Sequence, residues 1–403
     1  MIRTIKNSYH LIQALLANIK YGFPSRSLNV IGVTGTDGKT TTSHLIYHIL
    51  KSAGKSVSIT SSVYADIAGE ISDTGLHVTT QSRWEIQKNL RKAAQKGCEY
   101  FVIETTSHGI DQFRVGWVKF AYSVLTNITK EHLDYHKTYE NYLKTKVKLL
   151  SWAQKSRIVN KDALAFHDVA KILLAEKKPF VTYSLHDDAN YVWSDKIKTT
   201  LSEDFNHENI MAAIACCREI GLTQSEILKG VRTFTLPKGR LDCVYDQDFK
   251  IFIDFAHTPN SIRKLLGELS KTKGRVIHVF GSAGLRDAEK RPDMGRASGE
   301  FADIVVITEE DYRTEKFQSI AGAIIKGLNE QGFTKAKTKI PEIKQYVLKE
   351  RRQEAISFAV SIAKKHDVIV LTGKGHEQSL ARGKKEYSWD EYRAVRKALI
   401  LKQ

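Results

Sequence analysis

At 403 residues the chain exceeds one ordinary hydrophobic core and calls for two or three domains. Its 42% hydrophobic and 9% aromatic content excludes a disordered protein, and no window approaches the roughly 18 consecutive apolar residues of a membrane span. A formal charge of +17 admits nucleotides, phosphorylated substrates, nucleic acid or an anionic membrane surface as partners, yet no block of five or more basic residues marks a nucleic-acid stripe.

Along the chain, Ile5, Leu11, Ile12, Leu15, Leu16 and Ile19 recur at helical spacing and predict an amphipathic helix that docks on the next domain, a membrane-surface helix being the alternative. The N-terminus has no small-residue cleavage site after an apolar core, so a cytoplasmic location is expected. "YGFPSR" breaks the helix. Val30 to Val33 is a short β-branched run, followed by a glycine bend and a helical stripe of Leu45, Ile46, Ile49, Leu50 and Ala53 that ends at Gly54. Further runs, Tyr100 to Ile103 and Tyr122 to Leu125, alternate with helical patterns such as Trp84 to Gln95, the rhythm of a parallel α/β sheet. From Ile251 the rhythm restarts, with strands at Ile251 to Ile253, Val276 to Phe280, Ile304 to Ile307 and Val368 to Leu371. This is a second, Rossmann-like unit, with the seam near "TLPKGRLD", Thr235 to Asp242. The four cysteines, Cys98, Cys216, Cys217 and Cys243, lack metal-ligand spacing and read as reduced, buried thiols.

The bend itself, "GVTGTDGKTTT" from Gly32 to Thr42, lies between a strand and a helix and forms a phosphate cradle. Gly35 and Gly38 let the backbone approach an anion, the N–H groups of Thr36, Asp37 and the helix start point at it, Lys39 reaches the outer phosphates, and the Thr40 hydroxyl, followed by Thr41, can bind Mg²⁺. Strict G-x-x-x-x-G-K-T would need glycine where Val33 stands, so the match is to the shorter T-G-T-x-G-K-T-T. Such a cradle is shared by kinases, motors, switches and ligases and does not choose between them.

The choice comes from segments further on. "YFVIETTSHGIDQFRV" puts Glu104 just past a strand end, where a carboxylate beside the cradle could hold a metal or simply cap a helix. "TNITKEHLDYHKTYENYLKTKVKLL" carries His132, His136 and Lys146, and "FNHENIMAAIA", "GRLD", "IDFAHTP", "GSAGLRDAEKRPDMG" and "GKGHE" follow in order. Together these resemble the Mur ligase family, in particular the branch that adds the third amino acid to UDP-N-acetylmuramoyl-L-alanyl-D-glutamate in peptidoglycan synthesis. The resemblance runs from about Val30 to Trp389.

The resemblance implies an α/β fold with a central P-loop ATPase domain over residues 29–236 and a C-terminal Rossmann-like domain over 237–403, after an N-terminal helix and linker at 1–28. It also implies ADP-forming amide synthesis on small-molecule substrates through an acyl phosphate, by a monomer needing ATP and two Mg²⁺ ions. Thr40 and Glu104 are implied to hold the first ion, and His132 with a carbamylated Lys146 (N6-carboxylysine) the second. A cationic ammonium is a poor magnesium ligand, whereas a carbamate offers oxygen. His132 follows Glu131 where the family usually has Asp, and His136 reads as structural. Asn209 matches an adenine-side residue, helix capping being its other role. Arg240 matches a phosphate contact, Asp254 a nucleotide contact delivered on domain closure, and His257 stands between site and scaffold.

On the acceptor side the resemblance assigns Thr79, Thr80, Ser107 and Arg114, an arginine that can grip a carboxylate bidentately. The family's double serine is Thr106-Ser107 here, and "TTQSRW" lacks the proline usual after the paired threonines. Arg286, Arg313, Gly373 and Glu377 match positions that read the incoming amino acid in the diaminopimelate-using branch. The usual D-N-P-R is here "EDYR", Glu310 to Arg313. Retained Arg313 favours a distal carboxylate as in diaminopimelate, while Glu309, Glu310 and Asp311 could instead attract a lysine ammonium. Family members carry an N-terminal UDP-binding domain, yet only 29 residues precede the first strand, so UDP recognition is reduced, supplied by another protein, or replaced by a different carrier. A folylpolyglutamate-synthetase-like or cyanophycin-synthetase-like ligase and a noncatalytic ATP-binding partner are the rivals. A nucleic-acid-stimulated ATPase is the reading that charge alone invites.

Overall fold

The computed structural model describes residues 2–74, 79–186 and 188–402, with side chains from residue 6 onward, so Ile5 of the predicted stripe lies outside the described side chains. It forms two compact units, one of Met1–Lys130 with His136–Pro237 and one of Glu131–Tyr135 with Lys238–Gln403.

The first unit is built on a nine-stranded sheet. Its strands are β1 (Asn29–Thr34), β2 (Val57–Thr60), β3 (Ala65–Ile67), β4 (Glu70–Ser72), β5 (Tyr100–Glu104), β6 (Phe120–Leu125), β7 (Ser156–Asn160), β8 (Val181–Ser184) and β9 (Tyr191–Val192), in the order β4-β3-β2-β5-β1-β6-β7-β8-β9. All pairs are parallel except the β2-β3-β4 edge. β1, β5 and β6 are near-continuous apolar runs because helices cover both faces. Ile31 and Val33 of β1 face one core with Leu45, Ile46 and Ile210, whereas Val30 faces another with Ile86, Leu90 and Phe120. Register pairs Val33 with Glu104 and Thr34 with Leu125, so the three central strands end at one rim. At the opposite rim, exposed turns at Gly54 and Gly97 lead into β2 and β5.

The N-terminal helix, Ile2–Tyr21, docks by a face turned from the one predicted, with Leu11 and Leu15 of the predicted stripe half-buried. Ala14 and Ala17 are fully buried, and Asn18 Nδ2 donates to Gly116 O at 3.1 Å, while Tyr9, Ile12, Leu16 and Ile19 are exposed. Small side chains let the helix come so close that a Cβ on Gly116 would stand 3.1 Å from that of Ala14. The cysteine reading needs one correction as well. Cys98, Cys216 and Cys217 are buried and free, but Cys243 is exposed, on a strand at the edge of the second sheet.

That second unit has seven strands in its main sheet: β10 (Asp242–Asp246), β11 (Lys250–Ile253), β12 (Val276–Phe280), β13 (Ile304–Ile307), β14 (Thr334–Lys335), β15 (Gln345–Leu348) and β16 (Val368–Leu371), ordered β10-β11-β16-β12-β13-β15-β14. Only β10 runs antiparallel to its neighbour. Apolar clusters cover both faces, and a hairpin of β17 (Ser379–Arg382) and β18 (Lys385–Ser388) lies outside the sheet. Among the described residues no helix is long and apolar enough to cross a membrane.

Candidate active site

The glycine bend after β1 leads straight into the helix Lys39–Ser52. Gly38 sits at φ 80°, and a Cβ there would stand 2.2 Å from Asn209 Oδ1; one on Gly35 would stand 1.8 Å from Thr126 Oγ1. Only glycine fits either place. The loop is fixed from behind: Asp37 N–H donates to Asn127 Oδ1 (3.0 Å), Thr126 Oγ1 donates to Asp37 O (2.6 Å), and Thr129 N–H donates to Thr36 Oγ1 (3.0 Å). Lys39 Nζ curls back to Thr36 O at 2.7 Å, and Thr41 is buried. The N–H groups of Thr36 and Asp37 are both taken by Asn127, contrary to the expectation that they face the anion, so the cradle is left to the N–H groups of the helix start.

Beside it, both carboxylate oxygens of buried Glu104 are held. Thr40 Oγ1 donates to Oε1 (2.9 Å), while Ser62 donates to Oε2 from its backbone N–H (2.8 Å) and its hydroxyl (3.1 Å). Ser62 was not foreseen; its signal was a hydroxyl two residues past the end of β2. A hydroxyl and a carboxylate fixed together are the hard oxygen donors a magnesium ion takes. Lys146, on the helix Tyr139–Trp152, is 2% exposed; its Nζ donates to Gly35 O at 2.6 Å and lies 4.7 Å from the Tyr142 ring centre. Among the described residues no cluster of three or more His, Cys, Asp and Glu side chains could hold a metal ion. Asn209 lies inside the helix Asp204–Ile220, so it caps no end of it, and its Oδ1 accepts from Thr42 Oγ1 at 3.3 Å.

The acceptor-side residues gather on the other side of Glu104. Thr80 Oγ1 donates to Glu104 O (3.3 Å) and accepts from Thr106 N–H (2.8 Å); Arg114 Nη1 donates to Thr80 O (2.8 Å). Arg114 also donates to Gln112 Oε1 from Nε (3.1 Å) and Nη2 (2.9 Å). Ser107 Oγ is buried with no hydrogen-bond partner among the described residues, a group that asks for a ligand. Thr79 is half-buried beside Thr80.

The remaining candidates belong to the second unit. His132, at φ 55°, lies in Glu131–Tyr135, the segment that clusters with that unit, whereas Thr40, Glu104 and Lys146 belong to the first. Glu131 is buried; Lys290 Nζ lies 3.2 Å, and His257 Nε2 and His132 Nε2 each 3.6 Å, from its carboxylate. Asp254 accepts from the N–H groups of Leu241 and Ala256, both at 2.6 Å. Burial raises its pKa, and the nearby Arg240 cation opposes the rise. The Arg240 guanidinium lies 4.8 Å from the Phe255 ring centre.

Around Gly373 the chain concentrates charge. A Cβ on Gly373 would stand 2.6 Å from Glu310 Oε2, a buried oxygen without a hydrogen-bond partner, and burial, then Asp311, raise the Glu310 pKa. Fully buried Lys374 donates to Glu377 Oε2 (2.5 Å) and Asp311 Oδ1 (3.1 Å). Burial alone would lower its pKa, but those two carboxylates lift it above the ordinary value. Arg313 Nη1 donates to Gly284 O (2.9 Å) and Asp311 O (3.2 Å), and Arg286 is exposed on the loop that carries Gly284.

Comparison with known proteins accords with this geometry. Residues 33–217 match the Mur ligase middle domain, and residues 239–375 match the Mur ligase, glutamate ligase domain. The chain is 32% identical over 398 residues to the UDP-N-acetylmuramoyl-L-alanyl-D-glutamate–2,6-diaminopimelate ligase of Aquifex aeolicus, an alignment covering 94% of this chain and 79% of that one. It is 34% identical to the enzyme of the same name from Caldanaerobacter subterraneus, over 96% of this chain and 81% of the relative. A solved structure of a ligase with that name superposes with a TM-score of 0.60 at 27% identity, over 93% of this chain and 78% of that one. The Mycobacterium tuberculosis folylpolyglutamate synthase shares the fold, with a TM-score of 0.68 at 18% identity over 90% of this chain and 92% of its own. The chain belongs to the Mur ligase family. Its two matched domains are those of ATP-dependent, ADP-forming amide ligases.

Proposed function

We propose that this protein joins an amino acid, meso-diaminopimelate, to a UDP-N-acetylmuramoyl-L-alanyl-D-glutamate-type acceptor in peptidoglycan precursor synthesis, working as a cytoplasmic monomer on small molecules. One observation carries the reading: the Glu104 side chain holds Thr40 at the phosphate cradle while its carbonyl oxygen receives Thr80 from the acceptor side. A single residue thereby ties the phosphoryl donor to the phosphoryl acceptor.

In the chemistry that follows, an acceptor carboxylate oxygen bonds to the γ-phosphorus of ATP, and the bond to the β-phosphate oxygen breaks with its electron pair going to ADP. The amine nitrogen then bonds to the acyl carbon and loses a proton, and the carbon–oxygen bond to phosphate breaks. Positioning and charge compensation supply most of such catalysis. Backbone N–H groups of the helix start, from Gly38 to Thr41, cradle the phosphates, Lys39 swings from Thr36 O to the outer phosphate, and Arg114 grips an acceptor carboxylate. Thr40 and Glu104 would hold one Mg²⁺, Lys146 is assigned to a second, as His132 is by sequence resemblance, and bound ions would offset repulsion between the reacting anions. Lys146 suits this role as a carbamate, formed when the neutral amine takes up CO₂ and loses a proton. Nζ then keeps one hydrogen, enough to retain the bond to Gly35 O.

Asn209, Arg240 and Asp254 are assigned to the nucleotide, with Arg286, Arg313, Gly373 and Glu377 on the incoming amino acid. Arg313 supports a distal carboxylate. Lysine is the second reading, favoured by the buried Glu310 oxygen that no protein donor meets. Phosphate release across acceptors (UDP-muramoyl-dipeptide, folate, cyanophycin primer) and amines (diaminopimelate, lysine, glutamate) is the test. Release with folate and glutamate alone would replace this reading with a folylpolyglutamate synthetase.

A further inference from the structure

Arg83 opens the helix Arg83–Gln95, and the carbonyl of Gln112 joins it to the acceptor residues: Arg83 Nη2 donates to Gln112 O at 2.9 Å, while the Gln112 side-chain oxygen takes two bonds from Arg114. The two cations are close enough that Arg114 holds the Arg83 pKa down, after the larger effect of burial.

The N-terminal helix supplies the other partners of Arg83. Its Nη1 donates to Gln13 Oε1, and its Nη2 faces His10 Nδ1 at 3.0 Å. A guanidinium can only donate, so Nδ1 must accept and the ring proton resides on Nε2. His10 is therefore neutral, in keeping with a pKa lowered by burial, then by Arg83 and Arg114, with Asp111 acting the other way.

Among the described residues each hydrogen bond that Arg83 makes goes to a neutral acceptor, and no carboxylate pairs with it. His10, Arg83 and Arg114 are all half-buried, so solvent-side atoms stay accessible while the charges are partly stripped of water. Both Nη2 hydrogens of Arg83 are taken by His10 Nδ1 and Gln112 O and one Nη1 hydrogen by Gln13, so Arg83 offers an anion its charge and the remaining Nη1 hydrogen, beside the Arg114 cation.

We infer that Arg83, steered by His10 and Gln13 of the N-terminal helix, forms with Arg114 a second anion subsite that grips a carboxylate or phosphate of the acceptor. The inference rests on the acceptor reading above and adds three residues to it. Arg83 binds the ligand, whereas His10 and Gln13 are positioning residues.

The experiment measures KM for two acceptors, UDP-muramoyl-dipeptide and muramoyl-dipeptide without the nucleotide, in the wild type, R83Q, R83K and H10A. R83Q is expected to raise the acceptor KM roughly tenfold or more and to leave KM for ATP unchanged, a split that general destabilisation would not give. R83K, which keeps the charge but not the bonds to Gln13, His10 and Gln112, should fall between, and H10A should show a smaller rise. A KM effect confined to the UDP-bearing acceptor identifies phosphate as the ligand, and an equal effect on both identifies carboxylate. An active wild type whose acceptor KM is unmoved by both R83Q and R83K overturns the subsite alone. A wild type silent with both acceptors overturns the functional reading as well.

Discussion

The glycine bend of the first unit and the charged cluster of the second hold their polar residues by opposite means. In the first, the bend from Gly35 to Thr41 is fixed by neutral hydrogen bonds from Asn127, Thr126 and Thr129, and its capacity for anions resides in main-chain N–H groups. In the second, polar residues are buried as charges: Arg352 on Glu391, Arg382 on Glu309, and Lys374 between Asp311 and Glu377. A backbone site depends on which residues are small enough to permit it. A charged site depends on partners that must all be present, because one left alone in the interior is costly.

The sharpest test of this contrast is at the cradle. Lys39→Ala or Glu104→Ala should each lower kcat by about a thousandfold or more, and Lys39→Ala should leave the melting temperature nearly unchanged, as phosphate release and calorimetry would read. An equal collapse in stability would break the distinction. Arg352→Met, next in size, should cost about 3–5 kcal/mol in urea unfolding by stranding Glu391, and Arg352→Met with Glu391→Leu should recover much of it.

His278 extends the comparison to pH. It is fully buried between Ser298 Oγ (2.8 Å) and Thr372 Oγ1 (2.9 Å), and burial, with Arg352 second, pushes its pKa down to about 3. The unfolded chain takes up this proton first, near pH 6.5, so its contribution is intact above that value and is lost as pH falls toward 3. The loss should amount to several kcal/mol, on the order of 4. His278→Gln should unfold with a flatter pH profile over that window, measured by urea titration at each pH. The smallest effect is expected at Ser62→Ala, which removes one hydroxyl from Glu104 and keeps the backbone bond. A loss of about 1 kcal/mol, several-fold in kcat, would show that the carboxylate is held by more than Thr40.

The same contrast explains how much the sequence could tell. The cradle was legible because two glycines, a lysine and a threonine lie within six residues, between a strand and a helix that periodicity reveals. The central strands were legible because a doubly covered parallel sheet demands unbroken apolar runs. Ser62 was missed because a hydroxyl after a strand is common and its partner stands 42 residues away. Lys374 and Asp311, 63 residues apart, carry no local mark of their pairing. The N-terminal helix was misread because periodicity finds the larger apolar stripe, whereas close packing against Gly116 selected the alanines.

The turns at Gly54 and Gly97 have a practical use. A side chain at either glycine would meet nothing within 4 Å, and both precede strands whose far ends carry the chemistry. A short epitope or a dye-bearing cysteine inserted after Gly97 should be tolerated there with turnover intact, giving a handle for immobilising the enzyme or following it by fluorescence.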